Sequence, residues 1–177
     1  MNDPAASDEL ILVNLFDQPI GHASKLECHT DAMLHRAFSV FLYRDGEVLL
    51  QRRAQGKYHS GGLWTNSCCS HPRWGEELAD AVPRRLEEEL GVVGCSCREV
   101  GSFVYRNEFD NGLVEFEYDH VLVGEWTGDV APNPEEADAV EWVPIDEVAR
   151  HLIAEPHLFT CWFMTAAPMA LAAIARG

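Results

Sequence analysis

The sequence predicts a mixed α/β (α+β) domain in which a β-sheet is flanked by helices. Its 177 residues are the usual size of one domain, and 47% of them are hydrophobic while 24% are charged, as in ordinary globular proteins. Apolar runs of strand length alternate along the chain with segments of helical periodicity. Because the sequence contains neither internal repeats nor low-complexity linkers, we expect residues 1–177 to form one domain, with residues 1–9 as a flexible N-terminal tail.

Strands are predicted where β-branched and aromatic residues cluster in short runs. The dipeptide Asp45-Gly46 separates two such runs and predicts a tight hairpin, because both residue types tolerate the left-handed backbone of a two-residue turn. The predicted strands are residues 10–16, 37–43, 47–51, 63–69, 100–105, 114–123 and 140–144.

Three segments have helical character. Residues 76–90 end at Gly91, which suits the left-handed position after a helix, and they contain Pro83, where the helix can kink. Residues 145–153 and 160–175 are the other two segments. The last is apolar but shorter than the roughly 20 residues of a membrane span, and a proline interrupts it, so it is predicted to be a core helix.

The formal net charge of −16 excludes some classes of partner. A field of this sign repels nucleic acid and anionic membranes, whereas a small anionic substrate can still bind where cations are concentrated locally. The first ten residues carry acids where a signal peptide carries cations, and the adjacent pair Cys68 and Cys69 suits free thiols better than disulfides. We therefore expect a cytoplasmic protein with a small-molecule partner and with no nucleic-acid or membrane partner.

Two charged residues break the pattern of the first predicted helix. Its apolar residues form one stripe that should face the core: Leu78, Ala81, Val82, Leu86 and Leu90. Arg85 and Glu89 fall inside this stripe, where burial of charge is costly unless the charges are paired or bound. Two explanations remain open, an i,i+4 ion pair at the edge of the stripe and a bound metal or phosphate.

Histidine and glutamate residues recur at positions that suit a metal site. Glu115 and Glu117 lie two apart in a predicted strand, so their carboxylates share one face. Together with His29, His35 and His71 they supply a donor set that suits an octahedral transition-metal ion. Taken singly, each histidine also fits an ordinary hydrogen-bonded polar residue. That interpretation is given to the remaining histidines, His22, His59, His120, His151 and His157.

Cys69 stands apart from the other cysteines. It lies among polar residues, and His71 follows two positions later on the same face of a predicted strand. A cysteine's ordinary pKa of about 8.5 lets the thiol exchange protons near neutral pH, so both a nucleophile and an acid–base group remain open. Inert buried thiols are predicted for Cys28, Cys68, Cys95 and Cys97.

Residues 70–92 resemble a degenerate Nudix box, with matching residues at Glu76, Arg84, Leu86, Glu88, Glu89 and Gly91. Ser70 replaces the opening glycine and Arg85 replaces a core glutamate, so Nudix hydrolysis with a full acidic metal cluster is the second interpretation. Four segments taken together resemble type 1 isopentenyl-diphosphate delta-isomerases, in matching order from about residue 10 onward: HTDAMLHRAFS, RRAQGKYHSGGLWTNSCCSHP, RRLEEELGV and VEFEY. The resemblance implies a Nudix-like mixed β-sheet sandwiched between helices.

The resemblance also implies ligands for two metal ions and for a diphosphate. A structural and catalytic manganese, zinc or magnesium ion would be bound by His29, His35, His71, Glu115 and Glu117. Glu89 would help to hold Mg²⁺ at the substrate diphosphate. The diphosphate would contact four residues that supply cationic donors to phosphate oxygens, Lys25, Arg53, Lys57 and Arg85. We expect a monomer or a weak dimer.

The implied reaction converts isopentenyl diphosphate to dimethylallyl diphosphate by a 1,3 proton shift through a carbocation, in isoprenoid biosynthesis. Cys69 and Glu117 would act on opposite faces of the alkene, with Tyr105 assisting Glu117, and which of the pair acts first as acid stays open. Trp162 would stabilise the tertiary cation, although an aromatic residue in a core helix explains the sequence equally well. A non-enzymatic alternative is a structural zinc module of Cys68, Cys69 and His71, against which stands the lack of a Cys-x-x-Cys pair.

Overall fold

The computed structural model describes residues 9–57 and 59–176. The expected flexible tail therefore lies outside the described residues, except for Glu9, which already belongs to the first strand.

The chain folds into a mixed β-sheet, and helices connect some of its strands along the sequence. The strands are β1 Glu9–Val13, β2 Pro19–Ser24, β3 His35–Arg44, β4 Glu47–Arg53, β5 Trp64–Thr65, β6 Cys68–Ser70, β7 Cys97–Glu108, β8 Val114–Glu125 and β9 Ala137–Pro144. The helices are α1 Lys25–Thr30, α2 Leu78–Leu90, α3 Ile145–Ala154 and α4 Phe163–Ile174, and a short 3-10 helix spans Pro156–Leu158.

Strand β3 is the centre of the sheet. It pairs antiparallel with β1, β4 and β6 and parallel with β8, while β7 extends the sheet beyond β8 and β9 pairs with β4. In the parallel register His35 lies opposite Glu117, and in the β3–β6 register Ser39 lies opposite Cys69. The β3 pairings therefore bring groups from distant parts of the sequence to one end of the sheet.

The hairpin predicted around Asp45-Gly46 is confirmed. Asp45 has a φ of 45° and Gly46 a φ of 80°, so both turn residues adopt the left-handed backbone that a two-residue hairpin with native twist requires. Strands β3 and β4 begin to pair directly beside this turn, at Arg44 with Glu47.

Helices cover both faces of the sheet, as the sequence predicted. Helix α2 packs on one face over a buried cluster of Phe38, Val40, Leu42, Leu49, Cys68, Ala81, Val82, Leu86, Leu90, Val92 and Leu122. Helices α3 and α4 pack on the other face over Phe41, Val48, Leu50, Val121, Val123, Val148, Phe159, Phe163, Ala166, Ala167, Ala170 and Leu171. Within the described residues, no helix combines the length and apolar character needed to cross a membrane.

Some boundaries differ from those predicted, each for a local reason. The first strand was expected to reach residue 16, but β1 ends at Val13 because the Asn14 side chain accepts hydrogen bonds from the backbone N–H groups of Phe16 and Gln18 (2.9 and 3.1 Å). This turn leaves Phe16 82% exposed. Its apolar side chain lengthened the apolar run in the sequence, but the residue does not belong to the strand. The segment predicted as 63–69 divides into β5 and β6, and the helix expected over 160–175 begins at Phe163.

Helix α1 and strand β2 were not predicted. The six residues of α1 are too few for a helical period, but their start is fixed by a capping box in which Ser24 Oγ accepts from Glu27 N and the Glu27 carboxylate accepts from Ser24 N. The helix matters because it carries Lys25 and His29 towards the end of β3.

Leu86 offers a test of the packing between α2 and the sheet. Its side chain is fully buried, so Leu86→Ala should lower the free energy of unfolding by about 2–5 kcal/mol through lost burial and a residual cavity. Glu87→Ala, at the neighbouring exposed position, should change it by less than about 0.5 kcal/mol. Urea unfolding followed by circular dichroism measures both, and equal midpoints for the two variants would contradict the packing.

Candidate active site and metal centre

An open pocket of about 530 Å³ lies where β3, β6 and β8 meet the loop after β4. Its wall includes most of the residues that the sequence pointed to: Lys25, Arg53, Lys57, Cys69, His71, Arg85, Tyr105, Glu115, Glu117 and Trp162. The pocket thus combines a thiol, carboxylates and several cations in one wall.

The five predicted metal ligands lie together beside this pocket. One donor atom from each of His29, His35, His71, Glu115 and Glu117 lies within 4.8 Å of all the others. Glu115 and Glu117 come from β8, whereas the histidines come from α1, the start of β3 and the segment after β6. The cluster could hold a divalent metal ion, since imidazoles and carboxylates are its usual ligands.

The hydrogen bonds of two histidines fit metal binding. His29 Nδ1 donates to the carbonyl of Lys25 (2.6 Å), and His35 Nδ1 donates to that of Met33 (2.8 Å), so in the neutral ring Nε2 is the atom with the lone pair. Each Nε2 faces a carboxylate oxygen, at 3.2 Å from Glu115 and 3.5 Å from Glu117. Lone pairs that face each other repel, so a cation between them stabilises the arrangement.

The neutral form of His71 and the buried position of His35 Nε2 also fit metal binding. Burial lowers the pKa of His71 to about 4, although Glu117 opposes the shift, and a neutral imidazole is the form that binds metal. Within the described part of the chain, His35 Nε2 is buried and has no hydrogen-bond partner. Such a buried acceptor is costly unless something coordinates it.

Glu117 has partners on both oxygens. Tyr105 Oη donates to Oε2 at 2.5 Å, and His71 Nε2 lies 2.7 Å from Oε1. Burial alone would raise the pKa of Glu117, but the contacts with His35 and His71 outweigh burial and hold it well below the usual range. The Glu117 carboxylate is therefore ionised where it lines the pocket.

Cys69 is the thiol of the pocket. Its Sγ accepts a long hydrogen bond from Arg53 Nη1 (3.8 Å), and burial raises the pKa of the thiol to about 12 despite that guanidinium. A protonated thiol and a carboxylate therefore line the same pocket, which is the pairing that proton transfer at two positions of one small molecule requires.

Four cationic side chains reach the pocket, as predicted: Lys25, Arg53, Lys57 and Arg85. Arg85 Nη2 lies 2.6 Å from Glu89 Oε1, so the ion-pair explanation of the charged helix stripe is confirmed. Glu89 is 1% exposed and is paired with Arg85, whose side chain lines the pocket. The cations offset the negative net charge locally, where an anionic group would bind.

The Trp162 indole is buried at the start of α4 and also lines the pocket, a position that fits both interpretations that the sequence left open. Trp162 Nε1 donates to Asn66 Oδ1 (3.2 Å), and the Asn66 amide donates to the carbonyl of Cys68 (2.6 Å). The Thr65 and Thr160 hydroxyls lie 2.9 Å apart and tie the same two segments together. This network explains why a polar run precedes Cys69 in the sequence.

Two pocket residues were missed by the sequence analysis. His59 was interpreted as an ordinary polar residue, yet its Nε2 contacts Glu115 Oε1 and its ring lines the pocket. Glu136 contacts Lys57 Nζ and lies 3.2 Å from Arg85 Nη2. Both residues belong to loops, which have no periodic pattern to reveal their direction.

The structure corrects two further interpretations of the cysteines. Cys68 is buried in the apolar cluster under α2, whereas Cys69 faces the pocket, so the two sulfurs do not converge with His71 on one zinc ion. The alternative of a structural zinc module is therefore not supported. Cys28 and Cys68 are buried as expected, but Cys95 and Cys97 are only half-buried, because both lie near the beginning of β7.

Three of the histidines interpreted as ordinary polar residues lie outside the metal cluster. His120 pairs with Glu99 and Asp17, His22 with Glu9, and His151 lies 3.9 Å from Glu147. His120 thus points away from the two metal-cluster glutamates, as the strand alternation predicted.

The metal centre can be tested with His71. After metal removal with a chelator, His71→Asn should bind Mn²⁺ more than about tenfold more weakly than the unmodified chain, because one ligand is lost. At 100 times the dissociation constant of the unmodified chain, Mn²⁺ should stabilise that chain by about 2.7 kcal/mol and the variant by about 1.4 kcal/mol or less. Calorimetric titration and thermal unfolding measure the two effects, with His151→Asn as the control on the surface of α3. Equal Mn²⁺ affinity in both variants would contradict the site.

Comparison with known proteins agrees with the fold described above. The NUDIX domain family model matches residues 33–163. The chain is 48% identical over 157 residues to isopentenyl-diphosphate Delta-isomerase from Burkholderia multivorans, covering 88% of this chain and 89% of that protein. The enzyme of the same name from Photobacterium profundum is 48% identical over 162 residues, covering 88% of this chain and 90% of that protein.

A crystal structure of a Deinococcus radiodurans protein superposes with a TM-score of 0.68 at 22% identity, covering 83% of this chain and 90% of that one, which shows the likeness of fold. The chain belongs to the isopentenyl-diphosphate Delta-isomerase family and has a NUDIX domain.

Proposed function

We propose that this chain converts isopentenyl diphosphate to dimethylallyl diphosphate, with Cys69 and Glu117 as the two groups that move protons. The observation that carries the proposal is that a thiol and a carboxylate line one pocket together with four cations. Moving a double bond by one position needs a proton added at one carbon and another removed two carbons away. The cations would hold the diphosphate while the two groups act on the hydrocarbon part.

The diphosphate would bind to Lys25, Arg53, Lys57 and Arg85, which supply charged donors to its oxygens. In the structure Lys57 and Arg85 both contact Glu136. Burial would raise the pKa of Glu136, but the two cations hold it below the usual range, so its carboxylate neutralises them. A substrate phosphate would take over this role, and Glu89, held by Arg85, would help to bind Mg²⁺ at the diphosphate.

The proton shift balances without any further reactant. One group donates a proton to the terminal methylene carbon, the positive charge develops on the tertiary carbon, and the other group removes a proton from the carbon that bears the CH₂O arm. After the reaction one of Cys69 and Glu117 has lost a proton and the other has gained one. Tyr105, which donates to Glu117 Oε2, would assist the proton transfers of the carboxylate.

The aromatic wall would protect the carbocation. Trp162 and Tyr105 both line the pocket, with their ring centroids 6.4 Å apart. The face of an aromatic ring attracts positive charge through its quadrupole, and an apolar wall excludes water that would otherwise capture the cation as an alcohol.

A divalent metal bound by the cluster, for which we propose manganese, zinc or magnesium, would supply positive charge that fixes the orientation of Glu117. The histidines keep their rings in place through backbone carbonyls, and Glu115 completes the donor set. Together these residues hold the Glu117 carboxylate at the pocket wall.

Hydrolysis of a diphosphate bond, the second interpretation of the sequence, has less support. Arg85 stands where the Nudix pattern has a glutamate, and it pairs with Glu89 and Glu136. An acidic metal cluster on α2 therefore has one carboxylate fewer and a cation in its place, so it would polarise a bridging phosphate less effectively.

The isomerase reaction can be tested in deuterated water with Mg²⁺ and Mn²⁺ present. The chain should convert isopentenyl diphosphate to dimethylallyl diphosphate, and deuterium should enter the product because the proton donor exchanges with solvent. Cys69→Ala should lower kcat by at least about 100-fold, since one proton-transfer group is lost. Cys161→Ala removes a half-buried thiol that does not line the pocket and should retain activity. Release of inorganic phosphate without allylic product would contradict the proposal and favour hydrolysis.

Two adjacent arginines of β4 test the diphosphate contacts. Arg53 faces the pocket, whereas Arg52 is exposed and pairs with Asp138. Arg53→Met should weaken binding of magnesium diphosphate by about tenfold or more, because a charged hydrogen bond is worth about 1.5–3 kcal/mol, while Arg52→Met should leave it within about twofold. Calorimetric titration with magnesium diphosphate measures this difference, and equal effects of both variants would argue against a diphosphate site at Arg53.

A further inference from the structure

His59 lies in the loop that connects β4 to β5 and is buried against the metal cluster. Its Nε2 contacts Glu115 Oε1, and the side chains of the two residues are 2% and 4% exposed. The loop also carries Lys57 to the pocket, so it contributes to both the diphosphate site and the metal centre.

The His59 ring is held from several directions. It stacks on Phe109, in the turn between β7 and β8, with ring centroids 4.3 Å apart and planes tilted by 12°. It meets the Trp162 ring edge-on at 5.9 Å, and Arg53 Nη2 donates to its backbone carbonyl (3.4 Å). A ring fixed in this way keeps its nitrogen at a constant position beside Glu115.

The neighbours of His59 determine its tautomer. The Ser60 hydroxyl lies 3.1 Å from Nδ1 and can donate to its lone pair. When Nδ1 accepts from the Ser60 hydroxyl, Nε2 carries the hydrogen and can donate to the Glu115 carboxylate, which only accepts. His59 is thereby arranged as a donor towards Glu115, unlike His29 and His35, whose Nδ1 atoms donate to the backbone.

We propose that His59 is a positioning residue of the metal centre, which orients the Glu115 carboxylate from the pocket side. His59 is not among the five residues whose donor atoms all lie within 4.8 Å of one another, so the proposed role is exerted through its contact with Glu115. A hydrogen-bonded partner of this kind typically contributes 10–100-fold to metal affinity. The inference rests on the metal centre of the proposed function and adds a residue to it.

A matched pair of variants separates this role from simple packing. His59→Leu keeps an apolar side chain of similar size but removes the donor, whereas His59→Gln keeps an N–H donor near the position of Nε2. After metal removal, His59→Leu should bind Mn²⁺ about tenfold more weakly, and His59→Gln should recover most of that loss. His22→Leu, which changes a histidine on β2 outside the pocket, is the control and should bind as the unmodified chain does.

Affinity is measured by titrating Mn²⁺ into the apoprotein while free Mn²⁺ is followed by electron paramagnetic resonance. Kinetics supply a second readout: kcat of His59→Leu should fall at limiting Mn²⁺ and recover at excess Mn²⁺, with KM for isopentenyl diphosphate unchanged.

Equal Mn²⁺ affinity of His59→Leu and the unmodified chain would overturn the proposal, as would equal losses of Mn²⁺ affinity in His59→Leu and His59→Gln. If His59→Leu does not fold, His59→Asn serves as the test variant, because the shorter asparagine side chain cannot reach Glu115. The His59→Asn chain should then bind Mn²⁺ weakly. Unchanged Mn²⁺ affinity would again overturn the proposal.

The two proposals can fail separately. If the unmodified chain shows no isomerase activity while His59→Leu loses Mn²⁺ affinity, the isomerase proposal fails and the role of His59 stands. If isomerisation is observed and Mn²⁺ affinity does not depend on His59, the role of His59 fails alone.

Discussion

The buried carboxylates of β8 are the constraint on which the rest of the site depends. Glu115, Glu117 and Asp119 follow one another on one face of the strand and are 3%, 6% and 1% exposed. Uncompensated negative charge at such depth is costly, so each acid needs a partner. Ser39 donates to Asp119, whose pKa is raised well above its ordinary value by burial and by Glu117, while imidazoles surround the two glutamates. A divalent cation in this cluster would complete the compensation, and the histidines that come from three separate segments could hold it.

Strand β3 makes that convergence possible. Its parallel pairing with β8 sets His35 beside Glu117, and its antiparallel pairing with β6 places Cys69 at the same end of the sheet. A register shift of one residue in either ladder would turn these side chains to the opposite face. One apolar cluster lies under α2 and the other under α3 and α4, and both stabilise the pairing registers of β3 with its neighbours. The alternation of side chains along these strands therefore specifies the core and the site together.

Much of the fold and of the candidate site could be predicted from the sequence wherever a hydrophobic period or a turn signal exists. The hairpin at Asp45-Gly46, the end of α2 at Gly91 and the shared face of Glu115 and Glu117 all follow from local rules, and the structure confirms them. Helix α1 is too short to show a period, although the Ser24 to Glu27 capping box was a usable signal. His59 and Glu136 lie in loops, where the direction of a side chain depends on tertiary contacts that no sequence pattern records.

The contacts of Glu136 with Lys57 and Arg85 have a consequence for turnover. Because a carboxylate of the chain already satisfies these cations, the arrival of a diphosphate at the proposed site would be an exchange of one anion for another, and its net affinity would be the difference between two favourable interactions. The isomeric product carries the same diphosphate, and the returning carboxylate competes with it on departure. A site that interconverts two nearly identical anions thereby avoids retaining either of them too long.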